Sequence, residues 1–455
     1  MDRKKILLYG VILFVVVMVL GIVKVIIGIN EEISTMNGTI IDINENEITL
    51  QGKDDTIYTF NNNDIEAKIG DNIAISFTGL FNESVVKQDG KIVEYVTNEI
   101  ETNNYGVPLE WLDKGIFSQY YILANDKLKD MSLEEKIGQL ILGQYSSSSA
   151  FDDLEKYKLS GFVFYEKDFK DKTEDEVKNM FKELQSKTKI PLLTAVDEEG
   201  GSIVRVSSNS NLREEKFKSP RDLYDIGGYN EIKQDTIEKS IFLKNLGINL
   251  NLAPVVDIVS DTSSYIYKRT IGLDAEGTAK YASTVIEASL NTGVSYSMKH
   301  FPGYGDAEDS HQGKTYVKDT YEVIINKYLV PFRAGINSGA EAILMNHNIY
   351  TNIDSSNPAS ISPTIHNILR NKLKFTGIII TDDLTMSAAE DIENIYVYSL
   401  KSGNNLLLTA DYDIAFDEIK KAVTNGEISE NTINKLTFKI LAWKYYKGLM
   451  FENQK

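Results

Sequence analysis

The chain has 455 residues, 42% apolar and 25% charged, with a formal net charge of −18, four histidines and no cysteine. That length accommodates one barrel-sized domain with a minor module, and the composition is that of a globular chain with a substantial buried core. The acidic balance argues against a nucleic-acid partner, whose phosphates it would repel, and the absence of cysteine excludes disulfides and thiolate metal sites.

In chain order, Arg3, Lys4 and Lys5 precede an uncharged apolar run from Ile6 to Val23, followed by Lys24 and a further apolar stretch to Ile29. At a helical rise of ~1.5 Å per residue the run spans roughly 27 Å, near the thickness of a bilayer's hydrocarbon core. With the cations on one side and Glu31 and Glu32 on the other, the positive-inside rule places the N-terminus in the cytoplasm and the remainder outside. The expectation is an uncleaved, single-pass signal-anchor over residues 1–29. A cleaved leader would show a shorter apolar core and a small-residue cleavage site, and a lipoprotein anchor needs a cysteine.

Residues 30–96 carry short β-like runs, Thr39–Ile43, Glu47–Leu50, Thr56–Phe60 and Asn72–Phe77, punctuated by glycine and asparagine turns. That spacing predicts a small all-β module, read as a spacer without chemistry of its own. Residues 97–127 read as a connector. From residue 128 to 455 the pattern becomes apolar strands alternating with amphipathic helices. Eight strands are expected at Ile137–Leu142, Gly161–Tyr165, Pro191–Val196, Ile248–Leu252, Val294–Met298, Ala342–Met345, Gly377–Thr381 and Asn405–Leu408. Helices are expected at Glu174–Ser186, Tyr229–Leu246, Ala275–Asn291 and Thr320–Ser338. Eight strand–helix units fit an α/β fold of the (β/α)8 TIM-barrel type better than a doubly wound sheet.

In such a barrel functional side chains gather where strands end. Asp197, Asp257, Lys299, His300, His347, Asp382 and Asp383 all fall at those ends. A single strand-end carboxylate is usually a cap or a structural partner; several together point to a site. No His or Cys cluster has metal-ligand spacing, so neither a metal nor a cofactor is expected.

Three segments are more specific: Asp197-Glu198-Glu199-Gly200-Gly201 leading to Arg205, Lys299-His300-Phe301-Pro302-Gly303-Tyr304-Gly305-Asp306 running into Asp309-Ser310-His311, and Thr381-Asp382-Asp383-Leu384-Thr385-Met386. Over roughly residues 130–450 the chain resembles glycoside hydrolase family 3, in its bacterial β-N-acetylglucosaminidase (β-hexosaminidase) branch, with a KHFPGxGD…DSH loop and an SDDLxM strand. Further similarity lies in Met131–Leu140, Asn249–Asp257, Lys268–Gly272 and Asn357–Pro363.

The resemblance implies a retaining β-N-acetylhexosaminidase acting on cell-wall-derived or related glycans. Asp382 would be the nucleophile and His311, bonded by Asp309, the acid/base. Many members draw a glutamate acid from a second domain; about 70 residues follow Asp382 here, so the acid must come from the barrel. Asp197, Arg205, Arg269, Lys299 and His300 match positions that hold the sugar. Tyr304 replaces the second histidine of KHFPGHGD, Glu198 the glutamine of VDQEGG and Ser202 the arginine of GGRVxR, all at the edges of the binding site. The alternatives are a β-glucosidase-like hydrolase of the same barrel, a phosphorylase using phosphate in place of water, and a membrane-tethered sugar-binding protein. The partners expected are a carbohydrate and the membrane.

Overall fold

The computed structural model describes residues 107–108 and 111–452 except 390, and before them five strands between residues 33 and 98 with residues 44, 46, 65 and 67 beside them. The transmembrane segment expected over residues 6–23 lies outside the described residues. Among those described, no helix is long and apolar enough to cross a membrane.

The first strands are β1 (Ile33–Ile43), β2 (Glu47–Gln51), β3 (Ile57–Asn61), β4 (Asn72–Thr78) and β5 (Lys87–Asn98). They close into a barrel in the order β1-β2-β3-β5-β4, antiparallel except for the β3–β5 pair. Side chains alternate along a strand, so every second residue faces inward: Ile48 and Leu50, Tyr58 and Phe60, and Ile73, Ile75 and Phe77 fill the interior. Closing the barrel leaves these five strands no open sheet edge.

The remaining strands are β6 (Ile141–Gln144), β7 (Gly161–Phe164), β8 (Leu193–Val196), β9 (Leu250–Asn251), β10 (Ser295–Phe301), β11 (Tyr316–Val317), β12 (Ala342–Met345), β13 (Ile349–Tyr350), β14 (Ile378–Thr381) and β15 (Leu407–Thr409). β11 and β13 pair only with each other. The other eight form a parallel sheet in the order β14-β12-β10-β9-β8-β7-β6-β15, and a parallel bridge between Ile380 and Leu406 closes it. β7, β8, β12 and β14 are buried along their whole length. Helices outside and side chains inside cover both faces, which is why these strands read as continuous apolar runs.

Local signals explain most helices and two differences from expectation. Thr173 and Glu176 make a capping box that starts the helix Glu174–Ser186, whose Val177, Phe181 and Leu184 lie on its buried face. The strand expected from Ile137 begins only at Ile141, because Ser132 and Glu135 make a second capping box and turn Leu133–Gly138 into a helix. Ser219 caps, with Pro220 at the first position, a helix that runs to Leu246 across a kink at Gly227 and Gly228. Gly228 has φ 63° there, a left-handed conformation that glycine adopts without steric cost.

Of the segment expected as a connector, residues 111–127 pack into the core of the second domain. Trp111, Phe117 and Tyr121 belong to the same core as the parallel barrel. The Trp111 and Tyr121 rings pack on Phe438 at 5.5 and 4.9 Å, and Phe117 packs on Tyr446 at 5.3 Å. Asp113 accepts hydrogen bonds from Tyr121 Oη and Lys439 Nζ, tying this segment to the helix Glu430–Tyr446.

Candidate active site

Asp197 follows β8, Lys299 and His300 belong to β10, and Asp382 follows β14, so the chemistry gathers at one end of the barrel. Lys299 Nζ donates to Asp197 Oδ1 at 2.7 Å and lies 2.6 Å from Glu199 Oε1. Arg269 grips both oxygens of Glu199, at 2.9 and 2.8 Å, in the two-pronged geometry that suits a guanidinium. Arg205 stands 3.6 Å from Asp197 and stacks its guanidinium over the Tyr165 ring. Three cations thus meet two carboxylates, and the cluster keeps one positive charge in hand.

Burial alone would raise the Glu199 carboxyl, but Arg269 and Lys299 outweigh it and hold Glu199 far below the ordinary carboxylate range. Lys299 and Arg269 are correspondingly raised: burial acts against their charge, and Asp197 and Glu199 for Lys299, and Glu199 for Arg269, overcome it. Glu199, Lys299 and Arg269 therefore stay charged near neutrality.

Asp257, just past β9, organises the next layer. Its Oδ2 accepts from His300 Nδ1 at 2.7 Å and from the His300 backbone N–H at 3.1 Å, and its Oδ1 accepts from the Tyr304 N–H at 2.7 Å. The other ring nitrogen, His300 Nε2, lies 3.4 Å from Arg269 Nη2.

The two adjacent aspartates have separate environments. Asp383 closes its own turn, accepting from the Thr385 N–H at 3.0 Å and Oγ1 at 2.7 Å, and burial pushes its carboxyl up. Burial would also raise Asp382, but His300, His347 and Lys299 prevail and hold it below the ordinary carboxylate range. His347 sits behind it, with Nδ1 2.8 Å from Ser360 Oγ and Nε2 3.0 Å from the Asp383 carbonyl. Burial lowers His347, and because a carbonyl can only accept, Nε2 carries a proton and donates to it.

His311 lies on the loop after β10 with 59% of its side chain exposed. Asp309 Oδ1 bonds its Nδ1 at 2.7 Å and its backbone N–H at 3.1 Å. The Tyr265 ring meets the imidazole edge-on at 6.1 Å and also lies within the field of Asp382. Beside the loop a cleft of about 380 Å³ is lined by Tyr265, Glu308, Asp309 and Gln312.

Hydrogen bonds and ion pairs therefore join Asp197, Arg205, Arg269, Lys299 and His300 in one network, and the Tyr265 and Tyr304 rings connect His300 to the His311–Asp309 pair on the loop after β10. Glu198 is not at the edge of that network, as the sequence suggested. It is fully buried and accepts the backbone N–H groups of Arg205, Val206 and Ser207 at 2.8, 2.7 and 3.2 Å. Glu199, the anchor of Arg269 and Lys299, carried no expected role, and neither did Tyr265.

Residues 132–442 match the family model described as the glycosyl hydrolase family 3 N terminal domain. The chain belongs to glycosyl hydrolase family 3. Among its relatives, the beta-hexosaminidase of Actinobacillus pleuropneumoniae serotype 5b (strain L20) is 29% identical over 278 residues, covering 58% of this chain and 77% of that protein. The beta-hexosaminidase of Xylella fastidiosa (strain M23) is 26% identical over 317 residues, covering 67% and 91%. The solved family 3 beta-N-acetylglucosaminidase from Paenibacillus sp. str. FPU-7 superposes with a TM-score of 0.67 at 26% identity over 70% of this chain. This chain spans 63% of that structure's length. The family 3 match covers the parallel barrel and begins at the cap of the helix Leu133–Gly138.

Proposed function

We propose that this chain is a retaining glycosidase that removes terminal β-linked N-acetylhexosamine, N-acetylglucosamine in particular, from cell-wall-derived or related glycans. One observation carries the reading: Asp382 immediately follows the buried strand β14, at the barrel end where Lys299, Asp197, Glu199 and Arg269 form one charged network. The names of the relatives support the sugar class.

In the first step the Asp382 carboxylate attacks the anomeric carbon as the bond to the leaving oxygen breaks, giving a glycosyl-enzyme ester. His311 supplies the proton to that oxygen. Asp309 occupies Nδ1, so Nε2 is the nitrogen that carries it. In the second step neutral His311 takes a proton from water, which attacks the same carbon and frees Asp382. The Asp197, Arg205, Arg269, Lys299 and His300 cluster offers paired donors and acceptors for the sugar's vicinal hydroxyls and acetamido-bearing ring. The reading includes a catalytic domain outside the cytoplasmic membrane, tethered by the apolar segment behind Arg3, Lys4 and Lys5.

Nitrophenyl N-acetylglucosaminide should be turned over, and its glucoside counterpart far less. Asp382→Ala should lower kcat by about 10⁴-fold or more on every substrate. His311→Ala should give a burst of nitrophenol followed by a slow steady state that azide accelerates, because only the second step then lacks its base. Wild-type rates for His311→Ala on an unactivated disaccharide would remove it from the scheme and leave Asp306, Glu308 or Asp309 to test.

A further inference from the structure

Tyr304 stands where the sequence departs from the family loop, and the structure gives its side chain an unusual set of neighbours. The residue is fully buried. Its backbone N–H is held by Asp257, the carboxylate that also orients His300. Its hydroxyl donates to Ser310 Oγ at 2.5 Å, and the Ser310 N–H donates back to the same phenol oxygen at 3.0 Å. Ser310 is the residue immediately before His311. The Tyr304 ring packs edge-on against His300 at 5.6 Å and against Tyr265 at 5.5 Å, and Tyr265 in turn meets His311 at 6.1 Å.

The base of the loop is fixed independently. Gly303 and Gly305 have φ +117° and +57°, and a Cβ on either would come within 2.6 or 2.8 Å of Tyr328. Asp306 accepts from the Ser260 and Asp261 N–H groups at 2.8 and 2.9 Å. Beyond Asp306 the chain turns outward, and the reciprocal pair with Tyr304 pins Ser310 back to the barrel. Burial pushes the Tyr304 phenol up, so it remains a donor throughout the working pH range.

From this geometry we infer that Tyr304 is the positioning residue of the His311 loop, setting through Ser310 where the imidazole stands relative to the sugar held by His300. Tyr304 does not itself touch the reacting atoms. Its hydroxyl converts the place of the sugar ring, fixed by Asp257 and His300, into the place of the proton donor. A histidine in its stead would have to make the same link with a shorter side chain. The inference rests on His311 being the acid/base.

The test is Tyr304→Phe, which keeps the ring and the backbone bond to Asp257 and removes the hydroxyl with its links to Ser310 and to Tyr265. A weakly placed acid matters when the leaving group needs a proton, so kcat on an unactivated N-acetylglucosamine disaccharide should fall by about 10- to 100-fold, within the range that proton transfer contributes. KM should change less than about twofold, and the nitrophenol burst rate less than about threefold. Ser310→Ala, which keeps its backbone N–H bond to the phenol oxygen, should show the same split in smaller measure. The double variant should be no worse than Tyr304→Phe alone, because that substitution already removes both bonds to Ser310. Equal losses on both substrates, or an undiminished rate on the disaccharide, would overturn the inference and leave Tyr304 a packing residue. His311→Ala, run beside them, separates the two failures: if it lacks the leaving-group split, the acid/base reading itself falls.

Discussion

At the scale of single residues, the site depends on carboxylates that have been given different tasks by their surroundings. Glu198 and Glu199 are neighbours in sequence, yet Glu198 binds backbone N–H groups and Glu199 binds two side-chain cations. The Glu199 side chain is 2% exposed and paired with Lys299 and Arg269, so removing its charge takes the paired carboxylate from buried Arg269 and one of two from Lys299. Glu199→Gln should therefore cost about 3–5 kcal/mol at pH 7, read as a shift in the urea midpoint. Its carboxyl is depressed in the folded state, so its stabilising contribution is complete above the unfolded value of about 4.3. The contribution declines as pH falls below that value, so the gap between wild type and variant should narrow in the same urea titration at more acid pH. A gap that widens on acidification would contradict the pairing.

At the scale of elements, the segment before the family match behaves as part of the barrel. Trp111, Phe117 and Tyr121 pack on the helix Glu430–Tyr446, and Asp113 faces Lys439 in the same contact. Burial would raise Asp113, and Lys439 and Tyr121 hold it below its ordinary range. Burial lowers Lys439 despite Asp113. Losing the carboxylate leaves an ammonium group in an apolar joint. Asp113→Ala should destabilise the barrel by about 3 kcal/mol, and the doubly altered Asp113→Ala/Lys439→Met should recover much of that loss in the same unfolding measurement. Recovery distinguishes a stranded charge from a general packing defect.

At the scale of the whole molecule, two closed barrels are built by two different periods. The first alternates apolar and polar residues because one face of each strand meets solvent; the second has continuous apolar strands because helices cover its outside. The proposed tether belongs at this scale too. Full-length protein should stay with the membrane fraction, and protease added to intact cells should reach the barrel. A trimmed chain released into the medium, or a barrel inaccessible until the cells are opened, would overturn the proposed topology.

What was legible in the sequence was whatever short-range chemistry decides. The helix Glu174–Ser186 lies where its capping box and apolar spacing predict, the strand Ala342–Met345 has the expected bounds, and the polar residues expected at strand ends gather at one end of the barrel. The DSH loop and the Asp-Asp strand identified the family through motif alone, and periodicity sufficed for the (β/α)8 class. The partner of each charge was decided only by the tertiary structure. Lys299 is 102 residues from Asp197, and Arg269 is 70 from Glu199. The same holds for Tyr121 against Phe438 and for the buried place of Glu198. A local pattern states which face of an element is apolar; it does not state which distant element covers that face. Charges in a low-dielectric interior are governed by partners a few ångströms away, and closing the barrel is what brings those partners within reach.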